Sequence, residues 1–416
     1  MVSTGPRQWA FLPNPESETR VPNLRREMPK PTIMIVAGER SGDIYGAALA
    51  RALQVRLPGL EVFGCGGDAL REAGADTVVD AHQISLAGIT EIISGIPRVY
   101  RAFHYLLEEV DCRNPQLAIL IDFPDFNLRM ARQLKKRKVP VVYFVSPQVW
   151  AWRKRRVRKL KERIAKMIVI FDFEEEIYRK AGVPVEYVGH PLVDMVRPHM
   201  GREQFFAKVD LDASVPTVAL LPGSRKQEVA RMLPVMLDAA TRLTLHHQLQ
   251  FLVAVAPGID LAWVEAILLE CYVGRATVRP AVHATYDTLQ YANVAVVASG
   301  TATLEAALRE RPMVAVYRVS PLTWLVGQLL VDVPFYCMVN ILAKKEIVPE
   351  LMQHDFNAAN VAARVEYLLE HSEARDAMIQ GLRALRLRLG PGGAIERAAD
   401  AVVGLWQSVG MTRLEE

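Results

Sequence analysis

From residue 31 the chain repeats one unit: a short uninterrupted apolar run, a turn with Gly, Pro or Asp, then apolar positions at helical spacing. The first series of runs is TIMIVA (32–37), EVFGCG (61–66), LAILID (117–122), VVYFV (141–145), MIVIF (167–171) and VEYVG (185–189). A second series is TVALL (217–221), FLVAV (251–255), ATVRP (276–280), VAVVA (294–298) and MVAVY (313–317). Runs this short and continuous suit strands buried on both faces, and IYGAALARAL or FNLRMARQLKKR between them suit crossover helices. The pattern predicts an α/β fold of two doubly wound, Rossmann-like halves. Their expected bounds are 31–195 and 196–375, joined near HPLVDMVRP (190–198), with helices over 376–416. Residues 1–30, rich in Pro, Arg and Glu, are expected to form a poorly ordered extension.

One connection breaks the balance of charge. Nine of the fourteen residues from Arg153 to Lys166 are Lys or Arg, opposed only by Glu162, and Trp150 and Trp152 stand just upstream. Val157, Leu160, Ile164 and Ile168 recur on one helical face, so that face is expected to pack on a sheet while the cations meet water. The whole chain carries a net charge of only +4. A local run in a nearly neutral chain, with its tryptophans before it and not interleaved, argues against a nucleic-acid arm.

Ligands of open α/β sheets collect beyond the carboxyl ends of the strands, and four such ends here carry chemistry. AGERSGD (37–43) sets Glu39 and Asp43 around a Ser-Gly turn. LIDFPDFNLR (120–129) places Asp122 at a strand end, with Asp125 suited to capping the next helix. LLPGSRKQEV (220–229) gives Ser224 and Gln227 the spacing of a capping box, and its turn suits a phosphate that Arg225 would also contact. ASGTATLEAAL (298–308) repeats a Gly turn at a helix start, with Ser299, Gly300 and Thr301 at the turn and Glu305 inside the helix. Two anion-receptive turns in one half suggest a nucleotide diphosphate there; neither is a Walker A loop or a GxGxxG fingerprint. His190 and Asp194 are four apart, but Pro191 between them and the missing third ligand argue against a metal.

Composition narrows the classes further. At 51% hydrophobic and 23% charged residues, the 416-residue chain has apolar material for two cores. Cys65, Cys112, Cys271 and Cys337 form no CxxC pair, which fits a reducing compartment. No apolar stretch reaches the length of a membrane span, and the amino terminus has no signal-peptide core.

AGERSGD, LAGITEII (86–93), IDFPDFN, YFVSPQVWAWRKRRV, EYVGHPLVD, LLPGSRKQEV and ASGTATLEAAL, in this order, resemble the lipid-A-disaccharide synthase family over residues 32 to about 350. The resemblance implies a GT-B glycosyltransferase that joins UDP-2,3-diacylglucosamine to 2,3-diacylglucosamine 1-phosphate (lipid X). It implies release of UDP with inversion, and no cofactor or bound metal. Chemistry then suggests roles: Asp122 as the base on the acceptor hydroxyl, Asp125 as second choice, and Glu39 orienting the acceptor. Ser224, Arg225, Ser299, Gly300 and Thr301 would meet the diphosphate, and Glu305 the ribose. His190 and Asn340 are placed among the substrate-binding residues. The chain departs from the family's Leu-Pro-Asn, reading Met338-Val339-Asn340.

Acylated substrates imply work at a membrane surface. Trp150, Trp152, Arg153, Arg155, Arg156 and Lys159 are therefore expected to meet the acceptor phosphate or anionic headgroups. Apolar patches at 86–96 and 322–336 would hold acyl chains or pack in the core. The expected location is the cytoplasmic side of the inner membrane, peripherally bound, with no nucleic-acid partner and a homodimer left open. The rivals are a UDP-sugar epimerase of the same architecture and a non-enzymatic basic adaptor.

Overall fold

The computed structural model describes residues 30–84, 89–147, 156–271, 277–320, 324 and 334–415, without the side chains at 83, 89–94 and 409–415. Expectations for residues 1–29, for Trp150, Trp152, Arg153 and Arg155, and for most of the two apolar patches lie outside the described residues.

Two parallel sheets carry the fold. The first joins β1 (Thr32–Ala37), β2 (Glu61–Gly66), β3 (Asp76–Asp80), β4 (Leu117–Ile121), β5 (Val141–Phe144), β6 (Lys166–Val169) and β7 (Val185–Tyr187) in the order β3-β2-β1-β4-β5-β6-β7. The second joins β8 (Thr217–Leu221), β9 (Gln250–Val255), β10 (Val278–Val282), β11 (Val294–Ala298), β12 (Met313–Tyr317) and β13 (Glu350–Met352) in the order β10-β9-β8-β11-β12-β13. The central strands β1, β4, β5, β8 and β11 are buried at every position, as their unbroken apolar runs require. In each sheet the order reverses between the first and fourth strands, which opens a crevice at their carboxyl ends. Ala37 pairs with Ile121 at one reversal and Leu221 with Val297 at the other.

The sequence pattern misplaced a few elements. β3 and β13 are edge strands, DTVVD and ELM, too polar or too short to read as apolar runs. β10 starts two residues later than expected, at Val278. Among the described residues the basic helix is Arg156–Arg163, Ile164 follows it and Ile168 belongs to β6, so the four-residue apolar face does not lie on one helix.

The chain passes between the halves twice. His190 N–H donates to the Leu389 carbonyl (2.9 Å), Gly393 N–H to Asp194 Oδ2 (2.6 Å), and Arg397 to the Val188 carbonyl (2.6 and 3.0 Å). Gly390 stands at φ 88°, where an added Cβ would meet the Tyr187 hydroxyl at 2.5 Å. Beyond this crossing the helix Ala394–Glu415 returns to the first half, where Arg56 on the helix Arg40–Arg56 reaches Asp400 and Glu396, each at 2.7 Å. No helix among the described residues is long and apolar enough to cross a membrane.

Candidate active site

β1 and β4 are neighbours, so the turns that follow them share one crevice. After β1, Glu39 caps the helix Arg40–Arg56 from an extended backbone. Asp43, its companion in the motif, turns away: its buried carboxylate accepts from the N–H groups of Gly67, Ala69 and Leu70 (2.7–3.2 Å). It caps the short helix Asp68–Glu72 and is structural.

After β4 the backbone is unusual. Asp122 and Phe123 are consecutive non-glycine residues in the left-handed region, at φ 44° and 46°. Such residues cost on the order of 1–3 kcal/mol each and persist where surrounding contacts hold them. Here the Asp122 carbonyl accepts from the buried Tyr143 hydroxyl (2.6 Å) and from Asn127 Nδ2 (2.8 Å). Asn127 also donates to the Ile121 carbonyl (3.1 Å). The turn thereby aims a half-buried carboxyl group at the crevice. Burial and the nearby Glu39 carboxylate push Asp122 up to about 7, against smaller opposing effects of the Phe123 N–H and Arg156. Asp125 differs: it is largely exposed, and its Oδ1 lies 2.5 Å from Arg156 Nη2.

In the second half the loop after β8 leads into the helix Lys226–Leu243, whose cap is Arg225. The expected pairing of Ser224 with Gln227 is corrected here. Glu228 is the residue that reaches back, accepting from the N–H groups of Ser224 (3.0 Å) and Arg225 (3.2 Å). Those two N–H groups are therefore not free for a phosphate. The Arg225 guanidinium stands between Glu228 (3.4 Å) and, across the cleft, Glu39 (3.6 Å). A second bridge runs from Arg40 Nη1 to the Pro257 carbonyl (3.4 Å).

After β11, Ser299 donates to the Tyr336 carbonyl (3.2 Å), and Gly300, at φ 154°, caps the helix Thr301–Leu308. Thr301 is exposed at the helix start. Glu305 is half-buried with the Tyr286 hydroxyl 3.4 Å away. Burial raises the Glu305 carboxyl above its ordinary range, opposed by the charge of Arg40. Arg40 and Tyr286 carried no sequence signal of their own; Arg40 lay unremarked inside AGERSGD. Tyr143 was equally invisible, as one more apolar residue of a strand.

Two further candidates are engaged within the fold. Asn340 uses both amide N–H bonds on Val348 O and Glu350 Oε1, each at 2.8 Å, and its oxygen accepts from Ile347 and Val348 N–H (2.7 and 3.0 Å). Its hydrogen-bonding capacity is met inside the protein, where it holds the loop that leads into β13. His190 is buried, its Nδ1 accepting from Leu192 N–H (3.2 Å), and burial drives it down to about 3. A neutral ring beside Tyr45 and Phe171 packs the crossing between halves and has almost no surface for a ligand. Among the described residues the one group with metal-ligand geometry is His247 with Glu366 and Glu370. His247 precedes β9, at the opposite end of its sheet from the cleft.

The basic run is the largest revision. Arg156 is buried, Arg163 donates to the Leu128 carbonyl (2.8 Å), and Lys166 pairs with Glu186 (2.6 Å). Arg158, Lys159 and Lys161 remain on the surface, Arg158 beside Glu162 at 3.4 Å.

Comparison with known proteins decides the family. The family model described as lipid-A-disaccharide synthetase matches residues 33–390. The chain belongs to the lipid-A-disaccharide synthase family. It is 44% identical over 385 residues to the lipid-A-disaccharide synthase of Myxococcus xanthus (strain DK1622), covering 90% of this chain and 97% of that one. For the enzyme of Solibacter usitatus (strain Ellin6076) the identity is 42% over 373 residues, covering 89% and 97%. The fold is also that of UDP-GlcNAc 2-epimerase from Neisseria meningitidis bound to UDP-GlcNAc (TM-score 0.60, 11% identity, 90% and 100% covered). It is shared with MurG from Acinetobacter baumannii (TM-score 0.54, 13% identity, 90% and 100% covered). At such identities the solved structures establish the GT-B architecture alone. The family establishes the activity class: a glycosyltransferase of lipid A biosynthesis.

Proposed function

We propose that this member of the family transfers 2,3-diacylglucosamine from UDP to the 6-hydroxyl of 2,3-diacylglucosamine 1-phosphate, with inversion. The observation that carries the reading is Asp122, a carboxylate held in a strained turn at the switch point and raised to about 7. As the acceptor oxygen forms its bond to the donor's anomeric carbon, the bond from that carbon to the diphosphate oxygen breaks. The hydroxyl proton passes to Asp122, and the negative charge leaves on UDP. A base with an acidity near neutral takes a proton in the transition state and releases it afterwards. Asp125, exposed and paired with a guanidinium, is the poorer base.

Arg225, with Ser224 and the Ser299–Thr301 turn, is assigned to the diphosphate, whose developing charge gains from fixed donors. Glu305 is assigned to the ribose and Glu39 to the acceptor. The division at 195/196 then separates an acceptor half, 31–195, from a donor half, 196–375. The site is placed at the cytoplasmic face of the inner membrane. The exposed Ile96 and Tyr100 on the helix Ile89–Arg113, with Arg158, Lys159 and Lys161, support contact with a lipid surface.

The test is UDP release from UDP-2,3-diacylglucosamine with and without lipid X, with the product read by mass. Acceptor-dependent release and a disaccharide phosphate are expected. Release without acceptor, or an epimerised donor, would overturn the reading.

A further inference from the structure

Arg156 does not fit the expectation drawn from its neighbours. It is the first described residue of the helix Arg156–Arg163, is only 7% exposed, and is the one buried cation of that range. Its Nη2 donates to Asp125 Oδ1 at 2.5 Å, and Asp125 is 72% exposed at its side chain. Asp125 is the second residue of the helix Pro124–Lys136, which starts directly after the Asp122–Phe123 turn. The guanidinium is therefore anchored within the fold while the carboxylate stands on the solvent side. Asp125 follows Asp122 by three residues, so the pair stands next to the turn that carries the base.

A dianionic phosphate monoester can take the place of the Asp125 carboxylate, because guanidinium matches phosphate through paired N–H donors and the phosphate carries the greater charge. The guanidinium is already desolvated, so the cost of the swap lies in the water the phosphate gives up, which its stronger attraction to the buried cation must offset. Arg225 has a related arrangement in the other half, with carboxylates of Glu39 and Glu228 beside it.

We propose that Arg156 is the receptor for the phosphate monoester of the acceptor, and that Asp125 is its displaceable internal counter-ion. This rests on the reading of the acceptor as a sugar 1-phosphate. It gives Asp125 a role other than proton transfer, and it fixes the acceptor's orientation relative to Asp122. The purely structural alternative is a clamp between two helix starts.

The two are separated by binding and by turnover. Calorimetry with glucosamine 1-phosphate and with glucosamine, on the parent, Asp125→Asn, Arg156→Gln and Arg156→Lys, reads the receptor without any reaction. Asp125→Asn is expected to bind glucosamine 1-phosphate several-fold more tightly than the parent. Arg156→Gln should bind it at least tenfold more weakly, and Arg156→Lys should fall between. In transfer, the preference for lipid X over its dephosphorylated form, as a ratio of kcat/KM values, should collapse in Arg156→Gln. Equal binding of the phosphorylated and unphosphorylated sugars by the parent would overturn the proposal. So would weaker phosphate binding by Asp125→Asn, or loss of turnover in that variant with the phosphate preference intact. Should the parent bind the sugar phosphate in the expected rank order yet fail to transfer, the reaction assignment fails and the receptor stands.

Discussion

At the scale of single residues the cleft is organised around one carboxyl group. Asp122→Asn keeps the shape and removes the base, so kcat should fall by about 10²–10⁴ with the fold retained by circular dichroism. Because the base must be ionised, kcat/KM should drop with acid below about pH 7, near the raised value of Asp122. Glu39→Gln removes the carboxylate that helps raise it, so the acid limb should move to lower pH; an unmoved limb would detach Glu39 from the base. Stability follows the opposite sign from an ordinary ion-paired carboxylate. The folded chain holds this proton up to about pH 7, whereas an unfolded Asp loses it near 4. Its contribution is thus largest at low pH and is lost as pH rises between those values, a slope Asp122→Asn should lack in pH-dependent denaturation. Arg225→Ala removes a charge-assisted contact of about 1.5–3 kcal/mol, so UDP affinity by calorimetry should weaken roughly 10- to 100-fold. Unchanged affinity would take Arg225 out of the nucleotide site.

Elements explain why that residue stands where it does. The strained Asp122–Phe123 turn fits only because Gly38, at the end of β1, leaves room: an added Cβ would come within 2.2 Å of the Phe123 ring. Gly38→Ala should displace the ring, cost about 1–3 kcal/mol of stability in denaturant melts, and lower kcat more than it raises KM for UDP-sugar. A loss confined to the donor KM would contradict it. The same turn marks what the sequence could and could not disclose. The central strands and the loops after them were legible, because burial on both faces leaves an unbroken apolar run and the following turn must be polar. Asp122 was legible for that reason, as a carboxylate where the run stops. The left-handed backbone at Asp122 and Phe123 was not, because Asp visits that region only as a minority conformation and a bulky Phe gives no sign of it at all. Nor was the choice of capping residue after β8. Ser224–Gln227 and Arg225–Glu228 have identical spacing, and one residue of backbone phase decides between them. The internal bonds of Asn340 were not legible either, because an amide that fills its bonds internally looks, in sequence, the same as one aimed at a ligand.

For the whole molecule the decisive matter is which charges face outward. Composition marked the stretch from Arg153 to Lys166 as a single basic patch. Among the described residues folding divides it: Arg156 turns inward to Asp125, Arg163 and Lys166 serve the first half's own surface, and Arg158, Lys159 and Lys161 are left in solvent. A surface contact with anionic lipid should therefore depend on those three and not on Arg156. Each basic group near such a surface contributes about 1 kcal/mol, and the attraction is screened within about 10 Å at 0.1 M salt. Replacing Arg158, Lys159 and Lys161 by Gln should thus reduce binding to vesicles containing phosphatidylglycerol and raise the apparent KM for lipid X presented in them. Higher ionic strength should bring parent and variant together, and UDP affinity should not change, because Arg225 lies in the other half. Glu162, at 3.4 Å from Arg158, weakens the patch slightly, so Glu162→Gln should shift vesicle binding the opposite way. If the triple variant binds vesicles as the parent does at low salt, these cations are only the solvated face of a helix. Membrane contact would then rest on apolar side chains such as Ile96 and Tyr100.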